Sequence, residues 1–157
     1  REPSLTFIDH TLAISQLAVD LTVVSRLGPV DHLELTTEPT CWRSFQRGME
    51  GFAVLRPDLE VAVQTGGYQY HWFVEVDLGT HSSVSVVRKC RVYQDYWLSG
   101  IEQDKHGLFP KVLWVTPTAR RAERLLRAIS VAHELRENLF DVITTGEALR
   151  HMVGVEP

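Results

Sequence analysis

Arg56-Pro57-Asp58-Leu59-Glu60-Val61-Ala62-Val63-Gln64-Thr65-Gly66-Gly67-Tyr68-Gln69-Tyr70-His71-Trp72-Phe73-Val74-Glu75-Val76-Asp77 is the stretch from which the fold is read. Leu59, Val61 and Val63 alternate with Asp58, Glu60 and Ala62, the pattern of a strand with one buried face. Thr65-Gly66-Gly67 is a hairpin turn signal. The partner strand, Tyr68 to Asp77, sets Phe73, Glu75 and Asp77 on one face and Trp72, Val74 and Val76 on the other. Antiparallel pairing across a short turn puts the start of one strand beside the end of the next. Asp58, Glu75 and Asp77 are therefore expected to converge at one edge of a sheet.

Outward from the hairpin, Thr6 to Arg26 reads as a helix, with Ile14, Leu17, Leu21 and Val24 at helical spacing and Gly28-Pro29 as its stop. Val30 to Thr36 alternates weakly, as a strand. Glu38 to Gly51 admits either a short helix or an ordered loop. Ser82 or Ser83 caps a helix to about Trp97, with Val86, Cys90, Tyr93 and Trp97 on one face. Ser99 to Pro110 reads as a polar loop. Val112 to Val115 is wholly apolar, as in a central strand buried on both faces. A helix over Ala119–Arg136, a strand over Leu139–Thr144 and a short helix with a tail complete the chain. The expected fold is α/β, a mixed central sheet flanked by helices in the order α-β-β-β-α-β-α-β. The expected division is a domain over residues 1–145 and an appendage over 146–157.

The chain has 157 residues, 44% hydrophobic and 23% charged, enough for a full core. No apolar run in the sequence approaches the roughly 20 residues of a membrane span, and no membrane role is expected. Cys41 and Cys90 stand far apart, in neither metal-knuckle nor disulfide spacing; a reducing cytoplasm fits. The net charge of −4 counts against tight nonspecific DNA binding by charge alone. Basic residues cluster locally at Arg88, Lys89 and Arg91, and at Arg120, Arg121, Arg124 and Arg127. The chain opens on Arg1, which reads as a piece of a longer protein.

Carboxylates at neighbouring strand ends, with Lys89 on the following helix, are the parts that hold a divalent cation at a phosphodiester. Hard oxygen ligands suit Mg2+ or Mn2+, and a lysine can orient the attacking water. Burying Glu75 and Asp77 in an aromatic segment without a cation or partner is costly. Solvated strand-end acids are the competing reading. His71 and His81 are placed to assist. The seven histidines show no zinc-protease spacing. No phosphate-loop lysine follows Gly66-Gly67, and no serine-hydrolase elbow surrounds Ser82, Ser83 or Ser85. Tyr68, Tyr70, Trp72 and Phe73 read as core with one aromatic face more readily than as a base-stacking platform.

These residues also carry a resemblance. Arg56-Pro57-Asp58, Phe73-Val74-Glu75-Val76-Asp77-Leu78-Gly79-Thr80, Lys89 with Tyr93, and Phe109-Pro110-Lys111-Val112-Leu113-Trp114-Val115-Thr116-Pro117-Thr118 resemble the replication-relaxation family of actinobacterial plasmids, phages and integrated mobile elements. Asp9-His10-Thr11-Leu12-Ala13 resembles its helix opening. The resemblance covers about residues 6 to 130 and implies plasmid replication or mobilisation, with a winged-helix segment upstream. The pattern also resembles the PD-(D/E)XK restriction-endonuclease-like superfamily, with Asp58 as first acid and Glu75 as second. Asp77 stands where that superfamily usually carries lysine, and Lys89 supplies the amine from the helix instead.

Two function classes follow. One is a Mg2+- or Mn2+-dependent DNA phosphodiesterase, a nickase or nuclease, with Asp58, Glu75 and Asp77 at the metal, Lys89 at the water, and Arg88, Arg121 and Arg124 at phosphates. The other is a catalytically inactive nuclease-like module that binds DNA or forms a homodimer. A small-molecule binding domain is the third class considered, and a deep apolar pocket away from Asp58 would mark it.

Overall fold

The computed structural model describes residues 4–28, 30–49 and 51–154. Helix α1 (Leu5–Leu27) leads into strand β1 (Val30–Thr37). A short ribbon follows, β2 (Arg43–Gln46) and β3 (Phe52–Leu55). Next come β4 (Leu59–Thr65), β5 (Tyr68–Val76), α2 (Ser83–Leu98) and α3 (Ile101–His106). The chain finishes through β6 (Lys111–Thr116), α4 (Ala119–Ser130), a 3-10 turn (Glu137–Leu139), β7 (Phe140–Thr144) and α5 (Thr145–Met152).

The hairpin forms as its sequence predicts. Gly66 and Gly67 both take positive φ, 55° and 82°, in the two-residue turn that joins Thr65 to Tyr68. The register pairs Leu59 with Val74 and Val61 with Trp72. The central sheet is five-stranded in the order β1-β4-β5-β6-β7. β1, β4 and β5 pair antiparallel, whereas β5, β6 and β7 pair parallel. β6 lies inside the parallel half, and Val112 to Val115 are all buried, as their wholly apolar run requires. With the ribbon, α3, the 3-10 turn and the terminal α5 set aside, the elements follow the expected α-β-β-β-α-β-α-β order.

The two sheet faces differ in chemistry. One buries Leu59, Val61, Trp72, Val74 and Leu113 against Leu17 and Leu21 of α1 and Ala148 and Met152 of α5. The other carries Phe73, Val112 and Trp114 under Val86, Cys90 and Tyr93 of α2 and Leu125 of α4, with Phe45 and Leu55 of the ribbon closing one side. Glu75 belongs to this second face, which therefore has to accommodate charge beneath a helix.

Several expectations need correction. Glu38–Gly51 is neither helix nor simple loop: it contains β2, which pairs Phe45 with Ala53 of β3. Strands of four residues are too short to show a period. Within the expected polar loop, Gly100 and Gly107 adopt left-handed φ of 73° and 74° and bracket helix α3. The helix expected to Arg136 stops at Ser130, because hydrogen bonds from Gln94 to the Glu134 carbonyl and from the Arg136 N–H to Gln94 draw the next segment onto α2. The segment expected as an appendage packs into the core through Ala148, Met152 and Val153. Gly28 ends α1 by donating to the Val24 carbonyl at 2.8 Å, and Pro29 lies outside the described residues, as do 1–3 and 155–157.

By length and composition α1 is long and apolar enough to cross a membrane, although Asp9, His10, Gln16 and Asp20 interrupt its apolar residues. Leu17 and Leu21 face the sheet, while Leu5, Leu12, Val19 and Leu27 are exposed. Docking of α1 predicts a specific asymmetry. Leu21→Ala lowers unfolding stability by about 2–5 kcal/mol, while Leu12→Ala stays within about 0.5 kcal/mol. Urea denaturation measures both, and equal small effects would show that α1 does not rest on the sheet.

Candidate functional site

Asp58 stands immediately before β4. Its N–H donates to the Val74 carbonyl at 3.1 Å, and its Oδ2 accepts the Val76 N–H at 2.7 Å. The carboxylate thus continues the β4–β5 ladder one step past the strand. Glu75 faces α2 from β5 and is 2% exposed. The antiparallel register brings the two acids to one edge, and both line a cavity of about 130 Å3 with His10, His81, Ser85 and Lys89.

Lys89 points into this cavity. Ser82 caps α2 by accepting the Ser85 N–H, and the helix then lays Lys89 and Tyr93, four residues apart, over Glu75. Lys89 Nζ donates to Glu75 Oε2 and the Tyr93 hydroxyl donates to Oε1, each at 2.5 Å. A tilted contact of the Phe73 and Tyr93 rings, centroids 5.8 Å apart, holds that turn of α2 on the sheet.

Burial pushes the Glu75 carboxyl up to about 7, against the pull of the Lys89 charge, and Asp58 adds repulsion. Burial alone would lower Lys89, but the Glu75 and Asp58 charges outweigh it and hold the ammonium above its usual value. Burial also lifts Tyr93 well above the ordinary phenol, so it donates to Glu75 as a neutral group.

His10, which the sequence expectations for the site do not include, reaches it from α1. Its Nε2 lies 3.3 Å from Asp58 Oδ2 and 3.0 Å from the Val76 carbonyl. The hydrogen bond to Asp58 raises the imidazole above its usual value, in spite of partial burial. The signal was present: His10 precedes Ile14 by four residues and extends the Ile14-Leu17-Leu21 stripe by one turn.

Asp77 is placed differently from its expected role at a metal. It lies beyond the end of β5, and Arg121 grips it with Nε at 2.7 Å and Nη2 at 2.9 Å, while Gly79 N–H donates to it at 3.1 Å. Asp77 is thus a neutralised, buried carboxylate. Arg121 also donates to the His81 carbonyl at 2.6 Å, so the guanidinium expected at phosphates is spent on this tie. Arg88 and Arg124 are exposed. His81 lines the cavity with Nδ1 3.6 Å from Asp77. His71 instead lines a separate cavity with Glu34, Glu60, Glu102 and His106. There Arg43 neutralises Glu60 and Glu102, and Tyr96 donates to Glu102. Trp72 and Phe73 are buried on opposite faces of the sheet and form no common stacking platform.

Among the described residues no group of three or more His, Cys, Asp or Glu side chains is arranged to hold a metal. Mg2+ commonly takes only one or two carboxylates and completes its shell with water and substrate phosphate. Asp58 and Glu75 meet that lower requirement, and Oδ1 of Asp58 has no protein partner among the described residues. The donor set fits a hard divalent cation, provided Glu75 exchanges one of its hydrogen bonds for the ion.

Two outcomes follow. The folded Glu75 carboxyl titrates near 7 against an ordinary 4.5. Folding therefore takes up a proton in that interval, and stability falls as pH rises through it. His10, raised above 6.5, acts in the same direction at higher pH. Metal-free melting temperature should fall from pH 5 to pH 8, and Glu75→Gln should flatten the curve below pH 7; an unchanged slope would mean that Glu75 ionises normally. Asp77→Ala strands the Arg121 charge and should cost about 3–5 kcal/mol in chemical denaturation; a loss below 1 kcal/mol would return Asp77 to the list of candidate ligands.

A family model described as Replication-relaxation matches residues 1–112. No curated protein and no solved structure matches the chain. The matched stretch holds His10, Asp58, Glu75 and Lys89, which line the cavity, and Tyr93, which bonds Glu75, whereas Arg121 and α4 lie beyond it. The match spans well over half of the sequence, and the chain belongs to the replication-relaxation family.

Proposed function

We propose that this domain cleaves DNA phosphodiesters with Mg2+ or Mn2+ in plasmid replication or mobilisation, the role that family membership suggests. The observation that carries the reading is the contact of Lys89 with Glu75 beside Asp58, because it places an amine at the paired acids from α2 although residue 77 is aspartate. This arrangement accords with a nuclease of the PD-(D/E)XK type whose lysine has moved to the helix. The two free, buried thiols Cys41 and Cys90 accord with a reducing, cytoplasmic setting.

Asp58 and Glu75 would hold the cation, which when bound polarises the scissile phosphate and acidifies a water. Lys89, which contacts Glu75 Oε2, would orient the attacking water and stabilise the negative charge that develops on the phosphate oxygens. Tyr93 keeps its hydrogen bond to Oε1 and so fixes the carboxylate rotamer. His10 fixes Asp58 and the Val76 carbonyl from the opposite side, so both acids are held by partners on separate elements.

A second reading rests on a specific observation. Both Glu75 oxygens are already occupied, by Lys89 and Tyr93, which is how a carboxylate is satisfied in a module that binds DNA or a second copy without cutting. Nicking of supercoiled plasmid with Mn2+ separates the two. Wild type should convert it to open circles. Glu75→Ala should abolish conversion, and Lys89→Met should slow it by about 10²- to 10⁴-fold. Absence of cleavage with any divalent metal on any DNA form would leave only the non-catalytic module.

A further inference from the structure

Helix α4 carries a feature that the cavity does not use. Ala122, Leu125 and Ile129 turn into the core, and Arg120, Arg124 and Arg127 occupy the outer side at spacings of four and three. All three are exposed, and among the described residues no side-chain hydrogen bond or ion pair engages them. Together with Glu123 they line a shallow depression of about 180 Å3. One acid among three arginines leaves a positive surface on a chain whose net charge is −4.

Two neighbouring arginines of this layer are engaged, while Arg88 of α2 is exposed like the three of α4. Arg121 binds Asp77, and Arg91 binds Glu134. An amphipathic helix needs only polar outer residues for solubility, and three unpaired arginines in one line repel each other without any gain to the fold. Such a line is stabilised by a polyanion.

We infer that the Arg120-Arg124-Arg127 face of α4 is a docking track for the phosphate backbone of DNA. The seven helical rises from Arg120 to Arg127 cover about 10 Å, about three axial rises of 3.4 Å along one strand of a duplex. The guanidinium plane also suits bidentate contact with phosphate oxygens. The track starts one residue before Arg121, whose bond to the His81 carbonyl ties α4 to the rim of the Asp58–Glu75 cavity. DNA held on α4 would therefore enter the edge where the candidate cleavage site lies. The inference shares its DNA partner with the function proposed above, but not the cleavage chemistry.

The test is anisotropy of a labelled duplex between 50 and 200 mM salt, with EDTA present to suppress cleavage. Three proteins are compared: wild type, Arg120→Ala/Arg124→Ala/Arg127→Ala, and Arg26→Ala/Lys105→Ala/Arg150→Ala, which has the same charge change on exposed residues elsewhere. Matched melting temperatures establish that both variants fold. The α4 variant should lose about 2 to 3 units from the slope of log K against log salt, at roughly 0.9 per phosphate contact, and the control less than 1. Equal losses in both variants would overturn the inference in favour of bulk charge. So would a wild type that binds no duplex, or one that binds polyglutamate through α4 in preference to DNA. A slope unchanged in the α4 variant of a protein that still nicks plasmid would sink the track alone; a slope loss without any nicking would sink the cleavage reading alone.

Discussion

The hydrogen bond from the Val76 N–H to Asp58 sets the geometry of this molecule's polar edge. β5 is the strand on which the sheet changes sense, antiparallel to β4 and parallel to β6. Backbone pairing with β4 runs out at Leu59, yet β5 continues to Val76, and Asp58 fills the gap with its side chain. The Asp77 N–H meanwhile donates to the Val115 carbonyl of β6, and the Val76 carbonyl meets His10 of α1. The end of β5 is thus held from both neighbours and from the layer of α1. A carboxylate so constrained cannot relax away from Glu75, and the repulsion between them is built into the fold.

Why Glu75 differs from the acids paired with arginine is a matter of partners. Asp77, Glu60 and Glu102 each face an arginine, whose fixed fork neutralises a carboxylate and takes up its lone pairs. Such pairs hold layers together: Arg121 joins α4 to the β5 end, and Arg43 joins the ribbon to β4 and α3. Glu75 has a lysine and a neutral phenol, with Asp58 adjacent. Two acids share one ammonium and a histidine, so burial leaves Glu75 only partly ionised near neutral pH.

The hairpin, its two-glycine turn, the apolar β6 and the buried stripe of α1 were all legible because each follows a strong local pattern. So was convergence of Asp58 and Glu75, which depends only on hairpin register. The ribbon β2–β3 was not legible, since strands of four residues show no period. The end of α4 was not legible either, since Val131 to Arg136 is compatible with helix and contacts with Gln94, Arg91 and Trp97 of another element draw it off. Asp77 shows the limit most clearly. Alternation places it on the face of Glu75, but β5 has ended by then, and the residue that claims it lies 44 positions away.

Sequence by itself determined the mixed α/β architecture, the paired acids at one sheet edge and the presence of an amine downstream, because periodicity and turn chemistry act over a few residues. Tertiary structure decided which charges are spent and which are available. It turned Lys89 and Tyr93 onto Glu75, brought His10 to Asp58 across 48 residues, and assigned Arg121 to Asp77 rather than to a ligand. The reason is physical: the fate of a charge depends on its burial and on the partner within a few ångströms, and both are set by packing between elements that are distant in the chain.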